Sequence, residues 1–267
     1  MIAAVHPILL DLGEAGGLPL RITSYGAAML LAMVVGWLVV RRLGPRVDPD
    51  VPWTDLVLGL LIAGLLGAKL LHALIRLPDI LAGRVTLVAV LLGGGVWLGG
   101  VAGAFGYAAW FFRRHRLEAG RALNVLFVAA PLGHAIGRVG CLLAGCCHGA
   151  ACTLPWAITY HDPLAHELSG TPLGVPLHPT PLYETLAELF NFAVCLALWR
   201  RDPPPWAIPA AWLALYGAER FAFEFLRGDE RGALGPLSTS QWLALAMIAA
   251  AALLWLTRLR PARAAAA

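Results

Sequence analysis

Apolar residues come in successive blocks of about 20, each long enough to cross a hydrocarbon core of ~30 Å as a helix. The blocks run Ser24–Val40, Asp55–Ile75, Thr86–Phe112, Ala122–Cys146, Pro181–Trp199, Trp206–Phe225 and Leu237–Leu256. This pattern predicts an all-α fold: a polytopic membrane helix bundle of about seven spans, one integral membrane domain over 1–267. Its longest connection is an outer loop at about 147–178.

Arginine placement orients the bundle. Arg41, Arg42 and Arg46 follow the first block, Arg113, Arg114, Arg116 and Arg121 the third, Arg200 and Arg201 the fifth, and Arg258, Arg260 and Arg263 the seventh. All fall on one side, which the positive-inside rule makes cytoplasmic. The segment from Cys147 to His178 holds no Lys or Arg. The N-terminus is therefore expected outside and the C-terminus inside. Asp11, Glu14 and the lack of a basic stretch before Arg21 argue against a cleavable signal peptide, so the first twenty residues are expected along the outer membrane surface.

Composition agrees: 59% of the 267 residues are hydrophobic and 13% charged, about half the charge of a soluble domain. A net charge of +4 could suggest nucleic acid, but the arginines lie in short loop clusters without interleaved aromatics, and topology accounts for them. No nucleic-acid partner is expected.

Charge inside the blocks is the next signal, because ionisable groups in hydrocarbon are costly and mark functional interiors. Lys69, Arg138, Glu184, Glu188, Glu219, Arg220, Glu224 and Arg227 are such residues. Helical spacing puts Tyr216, Arg220, Glu224 and Arg227 on one stripe, and Glu184 and Glu188 on another. Interhelical ion pairing explains such stripes as well as catalysis does. Two guanidinium groups facing one cavity, Arg138 and Arg220, also suit a lipid phosphate, which they bind through paired donors. Glycines crowd the third block (Gly93, Gly94, Gly95, Gly99, Gly100, Gly103) and pace the fourth (Gly133, Gly137, Gly140, Gly145, Gly149). Close helix packing explains many of them. The same density weakens a helix and lets backbone N–H groups approach a ligand headgroup, so a broken helix near the outer leaflet is expected.

Cys141, Cys146, Cys147 and Cys152 cluster with His148 at the end of the fourth block, with Cys195 apart. Their spacing, C-x4-C-C-x4-C, is not the paired C-x2-C of zinc sites, so no metal site is expected. A disulfide, apolar packing, or a thiol-redox or metal-handling protein on this scaffold remain open readings.

Five segments resemble the prolipoprotein diacylglyceryl transferases of bacterial inner membranes. Arg21–Gly26 (RITSYG) is similar to the family's Arg-x-x-Tyr-Gly element, and Gly94–Gly103 to its Gly-rich third span. Gly137–Gly149 (GRVGCLLAGCCHG) resembles the Gly-Arg-Ile-Gly-Asn-Phe signature and its continuation. His178–Glu184 (HPTPLYE) is similar to His-Pro-Ser-Gln-Leu-Tyr-Glu, and Tyr216–Arg227 (YGAERFAFEFLR) to Tyr-Gly-x-x-Arg-Phe-x-x-Glu-x-x-Arg. Ser240-Gln241 stands where a Gly-Gln precedes the last span.

The resemblance implies transfer of diacylglyceryl from phosphatidylglycerol to the lipobox cysteine of prolipoprotein signal peptides in a multi-pass inner-membrane enzyme, without a cofactor. By match to the motifs, Arg138 and Arg220 would hold the phosphate. Tyr25 and Tyr216 would position the headgroup or nucleophile, and Glu224 would accompany Arg220. Gly149 would permit close backbone approach, and His178, Tyr183 and Glu184 would shape the outer mouth. Three positions depart from the family: Leu98 stands in place of a His proposed as base, Cys141 of Asn, and Cys146 of Glu. Replacement bases are sought among His134, His148 and His178, with His148, beside the signature, the favoured candidate.

Overall fold

The structure, a computed structural model, describes residues 6–15, 18–229 and 232–260. All seven expected blocks are largely helical. The helices are α1 Ser24–Leu43, α2 Trp53–Ile75, α3 Leu77–Leu81, α4 Leu87–Leu92, α5 Trp97–Arg114, α6 Ala119–Ala144, α7 Pro163–Ser169, α8 Thr180–Trp199, α9 Ala207–Phe223 and α10 Thr239–Leu254. Among the described residues, five helical stretches are long and apolar enough to cross a membrane: Ser24–Arg46, Trp53–Ile75, Ala119–Ala144, Thr180–Trp199 and Thr239–Leu259. The block Thr86–Phe112 is broken, because 93–96 leaves the helical path between α4 and α5. The carbonyls freed there are capped by Lys69, which donates to Gly93 and Gly94, while the His72 ring meets Gly94 O at 3.0 Å. The α9 block is 17 residues followed by a 3-10 turn, Glu224–Leu226. Arg263, used above to orient the chain, lies outside the described residues.

The chain forms two compact units, residues 40–122 and residues 1–39 with 123–267. In the first, α2 and α5 approach through small residues. A Cβ on Gly99 would stand 2.3 Å from Gly67 O, and one on Gly103 2.2 Å from Ala63 O. Dispersion between closely apposed backbones holds such a pair where lipid removes any hydrophobic drive. The glycines of the third block at this crossing are thus packing residues.

In the second unit, α6 lies against α1 through Gly140, whose added Cβ would meet Ala28 Cβ at 2.7 Å. Gly217 of α9 is closed off by Ile248 and Ala244 of α10. A capping box starts α10: Gln241 N donates to Ser238 Oγ and Ser238 N to Gln241 Oε1, which gives the Ser-Gln segment a structural role.

Two regions differ from expectation. The N-terminal segment forms an antiparallel hairpin, β1 Ile8–Ala15 with β2 Leu18–Thr23, carrying an exposed Arg21–Asp11 pair at 3.0 Å. The alternation of Leu18, Leu20 and Ile22 with Pro19, Arg21 and Thr23 was its sequence signal. The segment after α6 is also ordered. Ile158, Tyr160 and Leu177 are buried around a two-strand ladder, β3 Ile158–Thr159 with β4 Pro176–Leu177, and Tyr160 donates to Leu142 O at 3.2 Å.

Gly99→Val should break the α2–α5 contact, costing about 1–3 kcal/mol as overpacking does. Gly106→Ala, where a Cβ meets nothing within 4 Å, should not. Thermal unfolding of both purified variants in detergent checks this: the melting temperature falls for the first and holds or rises for the second.

Candidate active site

Apart from Lys69, the ionisable residues inside the apolar blocks lie in the second unit. Arg138 and His134 occupy one face of α6, a turn apart, and Glu184 and Glu188 one face of α8. Arg227 follows α9 in extended conformation. Glu184 is the hub: its Oε1 accepts from Arg227 Nη1 at 3.0 Å, and its Oε2 lies 2.6 Å from Arg138 Nε. That second contact is an ion pair without hydrogen-bond geometry, because Arg138 Nε–H is aimed at His134 Nε2, 3.1 Å away. Arg227 is 2% exposed and also donates twice to Asp229, at 2.8 Å each. Two cations thus clasp one buried carboxylate, an arrangement that satisfies charge in a medium of low dielectric.

His134 continues the network inward. Its Nδ1 lies 2.5 Å from Oε1 of Glu188, a fully buried carboxylate that also accepts from Trp212 Nε1 at 3.2 Å and Asn191 Nδ2 at 3.3 Å. Since Nε2 accepts from Arg138, the proton resides on Nδ1 and the Nε2 lone pair faces the guanidinium. The result is a carboxylate–imidazole dyad with its basic nitrogen turned toward Arg138. Tyr216 lines the same space: its ring meets His134 edge-on at 5.2 Å and stacks on Trp212 at 4.8 Å.

Arg220 is buried and paired to Glu224, Nη2 to Oε2, at 2.6 Å. Its Nη1 is buried with no hydrogen-bond partner. A desolvated guanidinium donor left unused is costly, and a ligand acceptor resolves it. Tyr216 lies in the electrostatic field of both Arg220 and Arg138.

Cysteines floor the site. Gly145 (φ +84°) and Cys147 (φ +60°) turn the chain back after α6. The left-handed conformation is unusual for a cysteine and marks a constrained position. The Sγ atoms of Cys141, Cys146 and Cys147 lie within 4.8 Å of one another; Cys152 is not in this group. Arg138 Nη1 points to Cys147 Sγ at 3.5 Å and Cys141 Sγ at 3.8 Å. Hydrogen bonds from the Cys141 and Cys146 thiols, and then from Arg227, hold the Cys147 thiol well below the ordinary range. Tyr25, half exposed on α1, packs over Gly140 and lies in the field of these sulfurs.

The other expected site residues sit apart from this hub or serve it indirectly. His148 is buried, with Nδ1 3.1 Å from the carbonyl of Gly149. Gly149 donates to His178 O at 2.9 Å, and an added Cβ would meet His178 Cβ at 2.4 Å and Leu226 O at 2.6 Å, so its close approach is to protein backbone. Tyr183 Oη accepts from Trp156 Nε1 at 2.8 Å and lies 3.4 Å from His178 Nδ1, a small aromatic cluster on the surface segment. Leu98 is exposed on α5 and has no titratable group. Sequence reasoning did not place Glu188 and Arg227 in the site and ranked His134 behind His148. The signal was present: His134 lies one turn before Arg138, as Glu188 lies one turn after Glu184.

The prolipoprotein diacylglyceryl transferase family model matches residues 12–257. The chain belongs to that family. Relatives named phosphatidylglycerol–prolipoprotein diacylglyceryl transferase include those of Clostridium tetani (28% identical, covering 90% of this chain and 93% of the relative) and Solidesulfovibrio magneticus (32%; 91% and 90%). That of Methylibium petroleiphilum is 33% identical, covering 93% and 94%. A prolipoprotein diacylglyceryl transferase is a transferase, and the five apolar helices make this one a multi-pass membrane protein.

Arg227→Leu should strip Glu184 of one of its two cations and remove the paired donors from Asp229, destabilising the fold by up to about 3–5 kcal/mol, as loss of one partner of a buried pair does. Asp229→Asn, on the more exposed side, should cost less. Unfolding midpoints of the two variants in detergent measure the difference.

Proposed function

We propose that the protein transfers the diacylglyceryl group of phosphatidylglycerol to the lipobox cysteine of prolipoprotein signal peptides, acting as one membrane domain in the bacterial inner membrane. The observation that carries the chemistry is an imidazole, backed by a buried carboxylate, beside Arg138, with Arg220 carrying an unused donor and Tyr216 in the field of both guanidinium groups. The thiol sulfur attacks C3 of the glycerol that bears the acyl chains. The C3–O bond to phosphate breaks, a thioether forms, and glycerol phosphate leaves. The phosphodiester has one negative charge and the leaving phosphate two, so cations at this position stabilise the transition state more than the ground state.

Arg220 offers its unpartnered Nη1 to the phosphate, with Glu224 fixing the guanidinium plane. Arg138 turns from His134 toward the same phosphate, which exposes His134 Nε2. That nitrogen accepts the thiol proton, and Glu188 holds the tautomer and stabilises the imidazolium. Lipid binding therefore prepares the base, and thiol deprotonation follows. Tyr216, against His134 and in the field of both guanidinium groups, positions the headgroup; Tyr25 flanks the opening. His148 hydrogen-bonds its own chain and is not assigned the proton.

Purified protein, phosphatidylglycerol and a lipobox peptide test this assignment. His134→Gln should lower transfer by about 10²–10⁴, the range for a general base, and Glu188→Gln should follow it in part; His148→Gln should stay within about tenfold. Arg138→Ala should abolish transfer while the variant still inserts and folds. Undiminished transfer by H134Q would remove the dyad from the mechanism, and undiminished transfer by R138A the phosphate role.

A further inference from the structure

The reaction above needs no thiol from the protein, yet three are gathered beneath it. Cys141 ends one turn of α6, and the Gly145 and Cys147 turns bring Cys146 and Cys147 back toward it, so that all three sulfurs lie within 4.8 Å. Three sulfurs bound in a plane around one ion, at ~2.3 Å each, would stand roughly 4 Å apart. The observed cluster meets that requirement with only small side-chain movement. The sequence spacing had excluded the two-pair zinc pattern, but it could not show that one turn would fold a vicinal pair against a cysteine on the preceding helix.

We propose that Cys141, Cys146 and Cys147 form a binding site for one soft metal ion, with Cu(I) the preferred occupant. Thiolate ligands select Cu(I) and Zn(II) over hard cations. Structural zinc seeks four ligands, and among the described residues no fourth Cys, His or carboxylate joins the trio. A three-coordinate sulfur site suits Cu(I). Three thiolates around a monovalent ion leave surplus negative charge, and two guanidinium groups, shared with Glu184 and Asp229, supply donors to the sulfurs. Arg138 reaches Cys147 and Cys141, and Arg227 hydrogen-bonds Cys147. Coordination by three thiols displaces their protons to solvent and involves no change of oxidation state.

The test uses the reduced full-length protein in detergent, titrated with Cd(II) alone. Sulfur-to-cadmium absorption should rise to an endpoint of one ion per chain. Bound Cd(II) should block maleimide labelling of Cys146 and Cys147 and leave Cys152 labelled as before, as read by peptide mass spectrometry. The C146A/C147A double variant should lose the endpoint and C152S should keep it. Because the labelling pattern is read on the unaltered protein, misfolding of a variant cannot hide the answer. Absence of the absorption, or Cd(II)-independent labelling of both cysteines, would overturn the site. An endpoint that survives in C146A/C147A would do the same. Isolation of the trio as a disulfide resistant to mild reductant would replace it with a redox pair. Equimolar Cu(I) should bleach the cadmium band, and retention of Cd(II) would overturn the Cu(I) preference.

Discussion

One buried carboxylate held between two guanidinium groups organises this protein. Glu184 of α8 meets Arg138 of α6 and Arg227 beyond α9, so a single ion cluster ties three helical segments together. Each of these charges would be prohibitive alone in an apolar interior, and together they are satisfied. The cost of separating them fixes where α6 and α8 stand, and with them every other group in the site. A structural tie of this kind also leaves functional capacity to spare. Arg138 is shared among a carboxylate, an imidazole and two sulfurs, none of which binds it as two phosphate oxygens would.

The second consequence is a carboxylate–imidazole pair whose Nε2 faces Arg138. His134 is oriented by Glu188, which is in turn fixed by Trp212 and Asn191, so the imidazole has little freedom to rotate. Its Nε2 accepts from Arg138. In the proposed mechanism an anion draws the guanidinium away, and thiol activation is then confined to the lipid-bound state. In that mechanism the dyad built from α6 and α8 supplies the proton acceptor.

Much of the fold was legible because its driving force is simple. Blocks of about 20 apolar residues fall on the helices, and the ends of α1, α2, α6 and α8 lie within a few residues of the pattern's limits. The glycine density of the third and fourth blocks pointed to a broken helix, and the break falls at 93–96, between α4 and α5, where three consecutive glycines disfavour helix. Gly99 and Gly103 were equally visible, but only the structure distinguishes packing from ligand approach. The N-terminal hairpin escaped because hydropathy windows tuned to helices overlook a six-residue alternation. In the site, Arg138 and Arg220 could be read from the energetic cost of a guanidinium in a membrane. His134 could not be ranked above His148, because nearness in sequence to the signature says nothing about which ring a buried glutamate holds. The cysteine trio depended on two left-handed residues, Gly145 and Cys147, which no spacing rule anticipates.

The proposed chemistry moves a diacylglyceryl group from a phospholipid to a thiol at this site. Incubation of the purified protein with labelled phosphatidylglycerol and a lipobox peptide tests it most directly, with peptide mass and released glycerol phosphate measured together. A diacylglyceryl mass gain on the peptide cysteine is expected, matched one for one by glycerol phosphate. An unmodified peptide from folded protein, alongside a relative that turns over under the same conditions, would contradict it.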